Sequence, residues 1–473
     1  MKQLTGRLSL LFLCFIFTAC SRQETLLELS PEVTETASTE LAPSSTARFT
    51  EYHARERFVV WGRSEGEPGG KCWVWLLDPA SQLEPIRQVS GKQDCNYAVV
   101  PVNDKQYLAS LPHWNPNAVE QPAEIILYDV TSDGELVVYQ TIPMGDIHLS
   151  SLTNTPQWAA DGSVYLAGIL DGKEQIFRYD SQTAAIEPYL DSDGGFSTSP
   201  LLSPDGRYLA YLVVENNESS QLCDRRDCSR RYYHIRDIDT GQDMELLPLI
   251  EPWIAGEAYF MHCDLDWSPT SRFVAFSVGC GLQEPSSVAI IDVKNGRLVE
   301  VINAQTISSH IRQYEWLSDG RLVVLGDVTF ALSNEQYDGY LFYLAAEQSW
   351  QPLANLPQRN FHNNAQVAFG DWTEDGALAV GHSQVPGEKR RVELAIFAVE
   401  NESSNGLYVQ TPDEYVDQPM WSASGSFIAY RSDNWETQAS LSRFTIIERT
   451  GETLLDTGML EVVSPHFAWL LQP

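Results

Sequence analysis

The sequence is poor in basic residues. Lys and Arg number 31 against 64 Asp and Glu in a chain of 473 residues, so the formal net charge at pH 7 is −33. Nucleic acid is excluded as a partner, because a phosphate backbone is bound by clustered Lys and Arg side chains. The same charge opposes broad adsorption to anionic lipid surfaces. Hydrophobic residues, at 43%, are nevertheless ample for a folded core.

Familiar catalytic signatures are missing as well. The sequence contains no HExxH, no P-loop and no GxGxxG, and we expect no serine nucleophile elbow. It contains no CxxC pair, which argues against a zinc site. We therefore expect a protein that is not an enzyme and that needs neither a cofactor nor a metal. A pair of carboxylates of the glycosidase kind is the catalytic alternative that the sequence leaves open.

The first twenty residues have the pattern of an export signal. A short basic stretch precedes ten apolar residues, 8–17, a run too short to span a bilayer and typical of a signal-peptide core. The run ends in a Thr-Ala-Cys sequence that resembles the lipobox of bacterial lipoproteins. The resemblance implies a signal peptide of residues 1–19 and a lipid on Cys20 that holds the protein to a membrane. An ordinary signal peptide or an uncleaved anchor is the alternative.

The next segment separates this anchor from the rest of the chain. Residues 20–55 are rich in Ser, Thr, Glu and Pro and show no sustained apolar period, so we expect a disordered tether. Residues 56–473 are then the folded part. We expect a bacterial protein that is exported and held on the periplasmic or cell-surface side of a membrane.

One sequence motif, called the phrase below, recurs along the folded part. A short apolar strand ends at a large residue, usually Trp, and a turn of the Ser-Pro-Asp-Gly kind leads to a strand rich in β-branched and aromatic residues. In such a turn Pro presets φ, Asp bonds its own backbone and Gly accepts a positive φ. Two further strands complete a four-stranded antiparallel sheet, which buries both faces only by packing against similar sheets. The phrase begins at Thr155, Ser199, Asp264, Gln313, Phe369 and Asp417, with a weaker copy at Val99.

These repeats predict an all-β fold, a β-propeller. They resemble the propeller repeats of TolB, the periplasmic protein of the Tol-Pal system, and those of prolyl-oligopeptidase-like enzymes, over residues 56–472. The C-terminal Pro465-His466-Phe467-Ala468 matches Pro156-Gln157-Trp158-Ala159, whereas residues 57–61 and 72–78 read as strands with no first strand before them. We therefore expect both termini to share one blade, with eight blades in all. Seven blades, or two stacked sandwiches, are the alternatives.

The cysteines fit an oxidising compartment. Cys20 is assigned to the lipid, and six of the remaining cysteines lie in the predicted propeller. Six cysteines allow fifteen pairings. The propeller layout favours three pairs of neighbours: Cys72 with Cys95, Cys223 with Cys228, and Cys263 with Cys280.

The candidate binding residues lie in the long loops opposite the tight turns, at residues 111–122, 214–231, 249–262, 326–338 and 431–442. Long irregular loops on a rigid scaffold usually carry binding. One loop presents four arginines that suit carboxylates, phosphates or an acidic partner; the alternative is that neighbouring Asp residues neutralise them. Aromatics suit sugars or proteins, or fill gaps between blades, and the histidines lie where a propeller enzyme would bind a metal. The candidates are Arg225, Arg226, Arg230, Arg231, Trp114, Trp253, Tyr259, Trp435, His262, His310 and His362.

These observations predict a monomeric, non-catalytic propeller that binds a protein or an envelope glycan through its loop face, with no nucleic acid as partner. A propeller enzyme with a metal or an acid pair in its central channel is the main alternative. A structural spacer without a ligand of its own is a third.

Overall fold

A computed structural model gives the fold of the segment Arg48–Pro473. The residues that the structure describes are 56–63, 72–77, 84–88, 95–102, 105–112, 124–131, 135–149, 155–190, 195–216, 229–250, 262–278, 287–302, 309–317, 320–329, 336–344, 349–352, 366–372, 377–384, 391–398, 407–412, 414–434, 441–450, 452–461 and 463–471. The predicted signal peptide and tether, with Cys20, lie outside them. No helix in the described part is long and apolar enough to cross a membrane.

The described strands form eight antiparallel sheets, numbered here in chain order. Sheet 1 contains β1 (Glu56–Arg63), β2 (Cys72–Leu77), β3 (Glu84–Gln88) and the last strand of the chain, β33 (Val463–Leu471). Sheet 2 contains β4 (Tyr97–Val102), β5 (Lys105–Ser110), β6 (Glu124–Val130) and β7 (Leu136–Pro143). Sheet 3 contains β8 (His148–Leu149), β9 (Gln157–Trp158), β10 (Val164–Leu170), β11 (Lys173–Asp180) and β12 (Ala185–Leu190). Sheet 4 contains β13 (Gly195–Leu202), β14 (Tyr208–Asn216), β15 (Ser229–Asp237) and β16 (Asp243–Glu245), and the short helix α1 (Leu247–Ile250) follows it.

The second half of the chain repeats the plan. Sheet 5 contains β17 (His262–Trp267), β18 (Phe273–Val278), β19 (Ser287–Asp292) and β20 (Arg297–Ile302). Sheet 6 contains β21 (Ser309–Trp316), β22 (Arg321–Thr329), β23 (Gln336–Leu344) and β24 (Ser349–Pro352). Sheet 7 contains β25 (Gln366–Trp372), β26 (Ala377–Gln384), β27 (Arg391–Ala398) and β28 (Leu407–Pro412). Sheet 8 contains β29 (Glu414–Trp421), β30 (Phe427–Asn434), β31 (Leu441–Glu448) and β32 (Thr453–Glu461).

The predicted phrase is the hairpin between the first two strands of a sheet. In sheet 4 the amide of Ser203 donates to the Tyr208 carbonyl (2.8 Å), the Tyr208 amide donates to Ser203 Oγ (2.9 Å), and Gly206 takes a φ of +72°. Sheet 8 repeats the pattern with Ser422 and Phe427. The turn chemistry that the sequence predicts therefore closes these hairpins.

Sheet 1 joins the two ends of the folded part, as the repeats predict. β1 lies between β2 and β33, and Glu56 pairs with Leu471 in the register of β1 and β33. Side chains alternate along β1. Phe58 and Val60 therefore pack towards sheet 8, while Val59 and Trp61 pack towards sheet 2.

Sheets 2 to 6 pack in chain order. Buried side chains join sheet 2 to sheet 3, sheet 3 to sheet 4, sheet 4 to sheet 5 and sheet 5 to sheet 6. The first strands of neighbouring sheets contact each other, as β17 does with β21 and β25 with β29, whereas β7 and β16 at the other edge are largely exposed. The first strands are therefore the inner strands, and the fold is the all-β propeller that the sequence predicts.

In sheets 5 and 6 the Trp of the phrase connects the sheet to the one before it. Trp267 Nε1 donates to the Leu201 carbonyl (3.2 Å), and its ring stacks on Tyr208. Trp316 repeats this contact on sheet 5, donating to the Asp266 carbonyl (3.3 Å) and stacking on Phe273.

The last copy corrects the predicted alignment of the C-terminal phrase. Trp469 Nε1 donates to the Met420 carbonyl (3.0 Å), and its ring stacks on Phe427. Trp469 therefore takes the place that the alignment gives to Phe467, two residues earlier. The reason is that β33 has no turn after it, so nothing in the sequence marks where its anchor residue falls.

Candidate binding surface

The two ends of the sheets differ in what their polar groups do. At the end that carries the tight turns, called the turn end, the turns bond to neighbouring sheets. The Asp205 amide donates to Ser271 Oγ in the turn of sheet 5 (2.9 Å). The amide and hydroxyl of Ser424 donate to the two carboxylate oxygens of Glu56 (2.6 and 2.7 Å). These turn groups serve the scaffold.

The opposite end, called the loop end, holds the starts of the inner strands and the connections between second and third strands. Here the structure shortens the predicted loops. β14 and β15 are paired from Tyr208 with Asp237 out to Asn216 with Ser229, so the loop predicted over 214–231 is reduced to 217–228. The paired strands extend the scaffold towards this end.

The arginine-rich segment is divided by this pairing. Arg230 and Arg231 belong to β15 and not to the loop, with Arg230 opposite Glu215 and Arg231 opposite Val214. Arg231 is partly buried. Arg225, Arg226, Cys223 and Cys228 lie outside the described residues.

Two of the predicted histidines also lie in strands. His262 begins β17 opposite Val278, and His310 is the second residue of β21 opposite Asp327. The prediction placed them in the loops leading into these strands; it was wrong because β18 and β22 continue far enough to pair with them. His262 and His310 thus lie near the starts of neighbouring inner strands. His362, Trp114, Trp253, Tyr259 and Trp435 lie outside the described residues.

The inner strands are irregular. β13, β17, β21, β25, β29 and β33 each break register once, as at a β-bulge. Bulges re-aim side chains and are frequent next to functional sites. In sheet 5 the bulge lies between Cys263 and Leu265, and the intervening Asp264 is exposed with a φ of +48°.

Asp266, two residues further along β17, has a different environment. Burial raises the pKa of the Asp266 carboxyl to about 6. Its Oδ2 accepts the amide of Trp316 in the next sheet (3.4 Å). Gln157 Oε1 accepts the amide of Leu202 in the same way (3.4 Å). The residue before the Trp of the phrase therefore links one sheet to the next. This role is visible only when the neighbouring sheet is in place.

The cysteines agree with one predicted pair. Cys72 and Cys95 form a disulfide with a Cα–Cα distance of 5.0 Å, and it joins sheet 1 to the start of sheet 2. Cys263 lies in β17 opposite Ser277, the residue before the end of β18. Cys280 lies outside the described residues, so this pair stays a prediction.

One catalytic pattern needs a correction. Residues 62–66, Gly-Arg-Ser-Glu-Gly, match GxSxG, contrary to the expectation that no nucleophile elbow occurs. An elbow requires a turn from a strand into a helix. Gly62 and Arg63 instead end β1, which pairs antiparallel with β2, the next strand described. Within the described residues, no group of three or more His, Cys, Asp or Glu side chains is placed to hold a metal ion.

Comparisons with known proteins add little beyond this. No family model matches the chain, and no curated protein matches it. Among solved structures, a puromycin hydrolase is similar with a TM-score of 0.47 and 14% identity, covering 80% of this chain and 55% of that one. A puromycin-hydrolyzing peptidase of Mycobacterium tuberculosis gives 0.46 and 16%, covering 77% and 53%. A eukaryotic initiation factor gives 0.46 and 11%, covering 87% and 98%.

The chain thus spans about half the length of the two hydrolases. At these TM-scores and identities the similarities carry no argument about activity or partners. The class of the protein, an all-β propeller, follows from its own sheets.

Proposed function

We propose that this protein is a lipid-anchored, non-catalytic propeller of the bacterial cell envelope that binds a protein or an envelope glycan through its loop end. The observation that carries the proposal is the difference between the two ends. Turn groups such as those of Asp205 and Ser424 bond to neighbouring sheets. The loop end holds the start of strands that carry His262 and His310, and the connection that carries Arg225 and Arg226.

Site-specific photo-crosslinking tests which end binds. A photoreactive phenylalanine derivative replaces Arg226 or Trp253, both in the predicted binding loops, in full-length protein expressed in its own host. Matched controls carry the same group at the exposed turn residues Asp161 or Thr270. We expect covalent adducts from the loop positions and none from the turn positions. Adducts confined to the turn end, or their absence from both ends, contradict the proposal.

The anchor is tested separately. A fatty acid with an alkyne group, fed to the host, should label the wild-type protein and not the Cys20→Ser variant. The variant should also leave the membrane fraction. Equal labelling of both proteins, or wild-type protein that is not membrane-bound, contradicts the lipid anchor. Neither result contradicts the proposed binding surface.

An enzyme is the second candidate, and the β17 carboxylates favour it. A buried carboxyl with a raised pKa near an exposed carboxylate is the pattern of acid–base pairs. Asp266 has the raised pKa and Asp264 is exposed on the same inner strand. Turnover on a panel of glycans that is lost in both Asp264→Asn and Asp266→Asn, with the fold intact, would establish this function over binding alone.

A further inference from the structure

The outer strands of the sheets differ in how they protect their open edge. An unprotected edge strand pairs readily with other chains, and proteins block it with charges, proline or shortness. β3, β12, β20 and β32 contain charged residues, and β16 and β24 have four residues or fewer. β7 and β28 have eight and six residues and contain no charge, and each has a proline only at its last position, Pro143 or Pro412. β28 has side chains outside the description, so β7 is the edge whose surface can be judged.

The surface of β7 is apolar on both faces. Val137, Val138 and Tyr139 are 49%, 55% and 52% exposed, and they are the large hydrophobic residues that stand out in the described part of the chain. Side chains alternate along a strand, so Val137 and Val138 lie on opposite faces, and a register shift between β6 and β7 places Tyr139 at a bulge. Tyr139 stacks on Tyr107 with ring centroids 4.3 Å apart, which fixes this end of the patch to sheet 2.

The charges around β7 indicate the kind of partner. Glu135 directly precedes the strand and Asp146 follows it by three residues, and both are exposed. A second copy of the chain is disfavoured, because antiparallel pairing of β7 with itself brings Glu135 of one copy towards Asp146 of the other. The net charge of −33 adds to this repulsion and attracts basic partners instead.

We propose that β7 is a docking edge at which another protein adds an extended segment as a further strand of sheet 2, the segment being apolar at its centre and basic at both ends. Main-chain hydrogen bonds supply affinity in such strand addition, and alternate side chains supply specificity. Val137, Val138 and Tyr139 contact the apolar centre, and Glu135 and Asp146 attract the basic ends. This surface is separate from the loop end and does not depend on the function proposed above.

A synthetic peptide tests the proposal directly. The probe is a fluorescent octapeptide with alternating Val and Thr at its centre and Lys at both ends, titrated with the full chain while anisotropy is measured. We expect saturable binding with a Kd below about 1 mM. Methylating alternate backbone amides should abolish it, and replacing the terminal Lys by Glu should weaken it about tenfold or more.

Protein variants provide the matched comparison. Val138→Lys places a charge on the edge and should weaken peptide binding at least about tenfold. Ala185→Lys adds the same charge at an exposed position of the outer strand β12 and should change binding less than about twofold. The methylated peptide is titrated with the wild-type chain, so its result does not depend on whether a variant folds.

Four results overturn the proposal. They are a peptide that does not bind, equal binding of the methylated peptide, equal binding to Val138→Lys, and a self-associated wild-type protein that Val138→Lys converts to a monomer. The last result would assign the edge to a second copy of the chain.

Discussion

The contacts of sheet 1 with sheets 8 and 2, called the closing seam, differ from the contacts of sheets 4, 5 and 6, called the repeat seam. The repeat seam is built by the phrase itself, through the hydrogen bonds and ring stacking of Trp267 and Trp316. The closing seam keeps this contact once, through Trp469, and adds others. Buried Glu56 accepts from the Ser424 turn, and Arg57 Nη1 donates to the Thr131 carbonyl of sheet 2 (2.9 Å).

A covalent link completes the closing seam on the other side, where Cys72 is joined to Cys95. β33 and β1 are not connected by a turn, so their pairing lacks the local hairpin that starts the other sheets. The hydrogen bonds of Glu56 and Arg57 and the disulfide therefore occur where the hairpin is missing. The repeat is thus sufficient where the chain is continuous and is supplemented by further contacts where it is not.

The largest expected effect is at Phe58. Its side chain is fully buried and lies within 5.2 to 6.3 Å, between ring centroids, of Phe444, Phe467 and Trp469. Phe58→Ala should lower the free energy of unfolding by about 4 kcal/mol, from lost burial and the cavity left behind. Urea unfolding of the full chain measures it, with Phe276→Ala in the repeat seam as the matched control. A loss below about 1 kcal/mol would show that the closing seam does not limit stability.

Removing the disulfide should have the next largest effect. The bond closes a loop with a sequence separation of 23 residues. Cys72→Ser combined with Cys95→Ser should lower stability by about 3 kcal/mol. Thermal unfolding without reductant measures this. A reductant added to the double variant then reports on the remaining predicted pairs, and an unchanged double variant would mean that the closing seam holds without the covalent link.

Asp266 tests the repeat seam through pH. Because its pKa is raised to about 6 from 3.8, the folded state binds more protons than the unfolded state between these values, and stability falls as pH rises from about 4 to about 6. Asp266→Asn should remove this fall and be more stable than wild type at pH 7 by up to about 3 kcal/mol. The difference between the two denaturation curves across pH measures it, and parallel curves would assign the raised pKa no role in stability.

The smallest expected effect concerns the Trp hydrogen bond that the repeat seam and the closing seam both contain. Trp267→Phe and Trp469→Phe remove the indole donors to the Leu201 and Met420 carbonyls. Each change should cost about 1–2 kcal/mol. The two losses should add in the double variant, because the residues share no partner. Strong non-additivity, measured by the same urea titrations, would show that the closing seam and the repeat seam are coupled.

Much of the fold is readable from the sequence because it is local. The turn at Ser203 is encoded within a few residues, and the disulfide of Cys72 with Cys95 follows once the sheet that both termini share is recognised. The sequence alignment misplaces Trp469 by two residues, because β33 has no tight turn after it that would fix the position of the Trp. The role of Asp266 depends on Trp316 in the next sheet, which periodicity cannot reveal.

The site is readable to a smaller extent. Its predicted place at one end of the sheets rests on loop lengths, and these do not tell where the strands stop. His262, His310 and Arg230 were assigned to loops because pairing beyond the apolar core of a hairpin leaves little trace in composition. The exposure of Val138 is not readable from the sequence, because an apolar strand predicts burial and only the order of strands in sheet 2 shows that β7 lies at an edge.

The composite sheet also sets an order of events in folding. Seven of the eight sheets formed by the described strands contain only strands that are close in sequence, and each can form as soon as its own segment is available. The pairing of Glu56 with Leu471 has a far larger sequence separation, and such non-local pairing is slow because a long loop must close first. During synthesis, β1 therefore cannot pair with β33 until the final nine-residue strand is available. A chain truncated before Val463 would retain folded sheets but no closure.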